Sequence, residues 1–365
     1  MENNNYTPTQ KKVLPKKSGS AKCTVDSSVL RPAIVIAAAI IIALILTCVM
    51  VIVTKVNAPA TNNGLNSPEV PDNSGEKADY PFKQTIENFY PTYADNAVTI
   101  SEGDTSSKNI ALVDLSSNTI IASRQSGKGS VVYPASLTKV MTLIVVYENL
   151  KSTAALDEKL TVSEAVANKM AEENSSAYGF KAGDVLTVNE LIHAVMLYSD
   201  GIACITLAEY ISGSETKFVK LMNDKAQEMG LQNTNFMNCT GLHHDYHYST
   251  AQDLAAIMAY AMKNTFCANV ITAEAFSIGS HFRPESGNTY KMYNQVTKSL
   301  KAAQPTTCKF YGGKTGLTDE AKYCLVSYSK TKDGKEYILV TIGAESATLR
   351  NQDHIDILNK YVKAN

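Results

Sequence analysis

Ser136 and Lys139 stand three apart in the segment YPASLTKVMT, a spacing that brings both side chains onto one face of a helical turn. A serine hydroxyl is a poor nucleophile until a neighbouring base takes its proton. A lysine serves as that base when burial or a nearby cation lowers its pKa. The chemistry this pair could open is acyl transfer through a serine ester. Alone it is weak ground, because a capping serine followed by a solvated lysine begins many ordinary helices. Two further triplets lie downstream. Ser199, Asp200 and Gly201 occur in MLYSDGIACITLAEY, and Lys314, Thr315 and Gly316 stand between the pair Gly312 and Gly313 and Leu317.

The order S-x-x-K, S-D-G, K-T-G resembles the order S-x-x-K, S-D-N, K-T-G shared by penicillin-binding proteins and class A β-lactamases. Similar stretches continue in NCTGLHHDYHYSTAQDLA (238–255) and GGKTGLTDEAKYCLVS (312–327). Over about residues 97–360 the chain resembles the low-molecular-mass penicillin-binding proteins that are serine-type D-alanyl-D-alanine carboxypeptidases. The resemblance implies that Lys139 takes the proton of Ser136. The Ser136 oxygen then attacks the carbonyl between two terminal D-alanines, and Ser199 relays the proton to the leaving amine. It implies that backbone N–H groups of Ser136 and Leu317 hold the oxyanion. Lys314 and Thr315 would hold the terminal carboxylate, with Lys314 adding positive potential that keeps Lys139 neutral, while Gly316 lets the substrate backbone lie against its strand. The substrate so implied is a peptidoglycan pentapeptide ending in D-Ala-D-Ala, trimmed in cell-wall biogenesis. β-Lactams are the implied covalent inhibitors, and neither cofactor nor metal is needed.

One position departs from the pattern. Gly201 stands where the middle triplet carries asparagine, and a hydrogen bond to a charged partner is worth about 1.5–3 kcal/mol. Either Asp200 or a water takes over, or the site binds peptide and penicillin but turns over poorly, as a tethered sensor would. A 32-residue tail is short for signalling. β-Lactamase is a nearer rival, but no glutamate with a recognisable deacylation motif lies between the second and third triplets. His243, His244, Asp245 and His247 raise a metal hydrolase, yet they lack HExxH spacing, and a His- and Asp-rich loop is more often merely polar.

These residues need elements to hold them. Apolar residues at helical spacing predict a helix over 136–149, amphipathic and following Pro134. Further helices are expected within 188–211, capped by Thr187, within 215–229, and over 251–263, with Ser249 or Thr250 as cap and Leu254 and Ile257 in the core. Strand runs at 110–114 and 119–124 read as one hairpin. Those at 323–329 and 336–343, joined at Asp333 and Gly334, read as another. With the Lys314 segment as a neighbouring strand, strands come from both ends of the region and helices from its middle. The expected fold is α+β, a β-lactamase/transpeptidase-like domain with a mainly antiparallel sheet flanked by helices and preceded by a single transmembrane helix.

The formal charge of −1 argues against a nucleic-acid surface. Basic residues nevertheless crowd residues 1–32, and an uncharged run, AIVIAAAIIIALILTCVMVIV, follows. About 21 helical residues span about 31 Å, the thickness of a hydrocarbon core. The run is longer than a signal-peptide apolar region, so 33–54 reads as a retained anchor. The N-terminus is then cytoplasmic, and the chain a single-pass cell-membrane protein with its catalytic domain outside. Residues 55–94, rich in Asn, Pro, Ser and Gly at first, read as a flexible linker and 95–365 as the penicillin-binding domain. Five cysteines would lie outside, without paired spacing, and read as small buried hydrophobes.

Overall fold

The computed structural model describes residues 86–125, 130–288, 290–300 and 303–363. The basic tail, the apolar run, Cys23, Cys48 and all of the linker before residue 86 lie outside the described residues. The chain enters through β1 (Thr92–Thr99), β2 (Asn109–Asp114) and β3 (Thr119–Arg124). A helical block follows, made of α1 (Lys139–Glu148), α2 (Glu164–Glu172), α3 (Val188–Leu197), α4 (Gly201–Ser212), α5 (Glu215–Glu228), α6 (Ala251–Lys263) and α7 (Thr265–Thr272). Two short antiparallel ladders lie beside it, β4 (Lys159–Thr161) with β5 (Val185–Thr187), and β6 (Ala275–Ser277) with β7 (Lys291–Tyr293). The chain ends with α8 (Gln295–Leu300), β8 (Cys308–Thr318), β9 (Lys322–Thr331), β10 (Glu336–Ala344) and α9 (Ala347–Tyr361).

Strands from both ends of this region meet in one sheet ordered β1-β3-β2-β10-β9-β8. Its pairs are antiparallel except β1 with β3, which is parallel. The sheet is therefore mixed. Period-2 alternation sends Ala111, Val113 and Ile120 into the core shared with the helical block, while Ile110, Leu112 and Ala122 enter a second core with Ile357 and Leu358 of α9. Being covered on both faces explains why β2 reads as an unbroken apolar run.

Thr187 caps α3 in a capping box with Glu190, and Thr250, rather than Ser249, caps α6. Leu254 and Ile257 are buried as expected. Two expected helices differ. The 136–149 helix begins at Lys139, with Ser136 in a 3-10 turn at Ala135–Thr138, and α1 is buried nearly all round rather than amphipathic. The 188–211 stretch is two helices, broken where Ser199 takes φ +61°. Packing also reaches upstream of residue 95: the Phe89 ring sits edge-on to Tyr260, and the Tyr90 hydroxyl donates to Asp253 at 2.8 Å.

Candidate active site

Ala135, just before Ser136, holds φ +47°, a left-handed conformation that a non-glycine residue keeps only when its surroundings impose it. The turn at 238–241 imposes it. A Cβ on Gly241 would lie 2.0 Å from the Ala135 carbonyl oxygen, so only glycine permits this approach. Asn238 Oδ1 shapes that turn by accepting the N–H groups of Thr240 and Gly241 at 3.2 and 2.7 Å. The Thr142 hydroxyl then ties α1 to the Cys239 carbonyl at 2.7 Å. Lys139, 2% exposed, donates to the Thr240 carbonyl, and its Nζ lies 3.0 Å from Ser136 Oγ. Nucleophile and base are thus within proton-transfer reach of each other.

The middle triplet closes one wall. Ser199 Oγ is buried without a hydrogen-bond partner among the described residues and lines the same cavity as Ser136. Asp200 is fully buried and caps α4. Its carboxylate accepts the Ala203 N–H at 2.7 Å and the Tyr178 N–H at 2.6 Å. Burial pushes its carboxyl up to about 6 against the pull of those bonds and of nearby Lys139. Asp200 is therefore engaged by backbone and does not line the cavity, which leaves the compensating role expected of it without a geometric basis. Gly201 has no room for a side chain, since a Cβ would meet Ser175 Oγ at 2.1 Å.

β8 closes the opposite wall. Gly316 brings its backbone against the nucleophile turn, where a Cβ would stand 3.2 Å from Ser136 N and 3.1 Å from Ala135 Cβ. Leu317 is 55% exposed at the rim. Lys314 is 2% exposed and donates to the Thr315 carbonyl at 2.9 Å. Burial first, and then the charge of Lys139, holds it well below the usual lysine range. Two ammonium groups in so dry a site disfavour each other, and an anion arriving beside Lys314 would restore its charge.

Between these walls lies a cavity of about 330 Å³. It brings together Ser136, Ser199 and Lys314 to Leu317, and adds Ser176, Tyr198, Gln295, Ser299 and Arg350, which the motifs did not announce. Arg350 is 5% exposed, and its guanidinium donates to its neighbour Asn351 at 2.8 and 3.1 Å. The histidine loop does not converge. His247 is buried against Thr138, whereas His243 lies near Glu320 and Asp245 and packs edge-on to Tyr133. Among the described residues Cys204, Cys239, Cys267, Cys308 and Cys324 are free and buried.

Known proteins resemble the chain in sequence and in fold. Residues 96–346 match the D-alanyl-D-alanine carboxypeptidase family. The chain is 34% identical over 271 residues to the D-alanyl-D-alanine carboxypeptidase DacF of Bacillus subtilis, covering 71% of this chain and 64% of DacF. It thus spans a little under two thirds of that relative's length. A solved Streptomyces DD-transpeptidase superposes with a TM-score of 0.62 at 26% identity, over 71% of this chain and 98% of that one. Penicillin binding protein 5 from Haemophilus influenzae gives 0.61 at 27%, over 72% of each. The mixed sheet with its helices is accordingly a transpeptidase/β-lactamase-like fold. With Ser136 and Lys139 in contact opposite the Lys314 strand, and the match running through nearly the whole described region, the chain belongs to the D-alanyl-D-alanine carboxypeptidase family.

Proposed function

We propose that the chain is a serine D-alanyl-D-alanine carboxypeptidase that removes the terminal D-alanine of peptidoglycan stem peptides. The observation that carries this reading is the 3.0 Å approach of Lys139 Nζ to Ser136 Oγ, with Ser136 lining a cavity together with Lys314 and Arg350. Lys139 accepts the Ser136 proton as the serine oxygen bonds to the carbonyl carbon between the two D-alanines. The charge that develops on the carbonyl oxygen is met by the Ser136 and Leu317 N–H groups. The carbon–nitrogen bond then breaks, and the proton passes from Lys139 through Ser199 to the leaving amine. Lys314, Thr315 and Arg350 hold the departing carboxylate. Water opens the ester by the reverse transfers and frees Ser136.

β-Lactams enter as carboxylate-bearing acylating agents of the same serine. The uncharged run at 33–54, with basic residues ahead of it, anchors the catalytic domain at the outer face of the cell membrane, with the N-terminus in the cytoplasm. The test is to give the full-length chain a peptide ending in D-Ala-D-Ala and follow D-alanine release by mass spectrometry, with Ser136→Ala as control. Release by the wild type and none by the variant is expected. A wild type that neither releases D-alanine nor takes a fluorescent penicillin label sinks the proposal.

A further inference from the structure

His247 is the one member of the histidine loop that touches the nucleophile turn. Its Nε2 lies 2.9 Å from the Oγ1 of Thr138, the residue between Leu137 and Lys139. Both side chains are closed off from water, at 2% and 1% exposed. The other ring nitrogen, Nδ1, accepts the Met237 N–H at 3.4 Å, which leaves the proton on Nε2 and makes that atom the donor to Thr138. The Phe236 ring stands edge-on to the imidazole, at 87° and 5.6 Å, and holds its plane. Burial, with Lys139 and the other two histidines nearby, pushes its pKa down to about 3, so the ring stays neutral and the donor does not change across the working pH range.

The other ties between this loop and the turn are made by backbone carbonyls or by a missing side chain: Thr240 with Lys139, Cys239 with Thr142, and Gly241 with Ala135. The imidazole bond adds a side-chain hydrogen bond to these ties, and it lands inside the four-residue turn whose first residue, Ala135, is held left-handed. We infer that His247 is a positioning residue that fixes the Ser136 and Lys139 turn through its hydrogen bond to Thr138. It touches neither substrate nor reacting atoms. Its effect is to keep Ser136 Oγ within reach of Lys139 Nζ, a separation on which acylation depends steeply.

This rests on the proposed function above, and the experiment separates the two. Wild type, His247→Phe, His247→Gln, Thr138→Val and the double variant Thr138→Val with His247→Phe are prepared as full-length chains. The second-order rate of labelling by a fluorescent penicillin, kcat and KM on a D-Ala-D-Ala peptide, and Tm are measured. His247→Phe and Thr138→Val are each expected to slow labelling about 10- to 100-fold, with the loss in kcat rather than KM. The double variant should be no slower than either single one. His247→Gln, which keeps an N–H donor, should recover most of the rate. If His247→Phe does not fold, Thr138→Val reads the same bond. A wild type that takes no label overturns the functional reading and this inference with it. Labelling at the wild-type rate in folded His247→Phe or Thr138→Val, or a fall in Tm alone, overturns this inference only.

Discussion

A Cβ on Gly201 would lie 2.1 Å from Ser175 Oγ and 2.8 Å from Met170 Sδ, so the missing side chain at the head of α4 and the serine facing it form one packing arrangement. Backbone bonds hold the register: the Gly201 N–H donates to the Ser176 carbonyl at 2.9 Å, and the Tyr178 N–H to Asp200 at 2.6 Å. An asparagine at 201 has to push Ser175 and Met170 aside. Gly201→Asn should therefore destabilise the chain by about 1–3 kcal/mol, the range for overfilling a packed site. Adding Ser175→Gly should return most of the loss. Thermal unfolding of the two single variants and the double one checks this, and strictly additive shifts in Tm would count against a shared volume.

That pairing also shows where sequence reading stops. The three triplets were legible through their order, S-x-x-K, S-D-G, K-T-G, which resembles that of penicillin-binding proteins. So was the turn at Asp333 and Gly334, where Gly334 takes φ +87°. Gly201 read as a loss because Ser175 comes from another part of the chain. The break at Ser199 left no trace, since the apolar pattern continues across it and a non-glycine residue carries the positive φ. α9, and with it Arg350, went unseen for a different reason. Its buried face is largely polar, with Asp353 held by Ser106 and Ser107 and His354 between Ser327 and Thr341, so the apolar periodicity that marks a helix is weak.

Asp200 predicts a pH dependence. Its carboxyl holds a proton in the folded chain up to about 6, against a reference value of 3.8, with burial the largest cause. Between those values the folded state binds a proton that the unfolded state has released. Stability should therefore fall as pH rises through the window and level off above it, by on the order of 2–3 kcal/mol in all. Asp200→Asn removes the titration. It also gives up one of two acceptors, a loss that is the same at every pH. The difference in unfolding free energy between wild type and Asp200→Asn, measured by urea denaturation from pH 4 to 7, should move steadily in favour of the variant. A flat difference would mean that the folded carboxyl titrates at an ordinary value.

Arg350 supplies a test of which end of the substrate the cavity grips. Arg350 is 5% exposed, lines the cavity with Lys314 and Thr315, and has burial drawing its guanidinium below the ordinary arginine range. A desolvated cation of this kind is relieved by an anion, and a peptide carboxylate is the anion that the proposed substrate brings. A charge-assisted hydrogen bond of about 1.5–3 kcal/mol corresponds to roughly 10- to 100-fold in binding. Arg350→Gln should therefore raise KM for a peptide ending in D-Ala-D-Ala by about that factor. The same peptide with an amidated C-terminus should already be a poor substrate of the wild type and lose little more in the variant, because the charge that Arg350 reads is gone. Parallel kinetics on the acid and amide peptides check this. Equal losses on both would mean that Arg350 supports the cavity wall through packing rather than by holding the carboxylate.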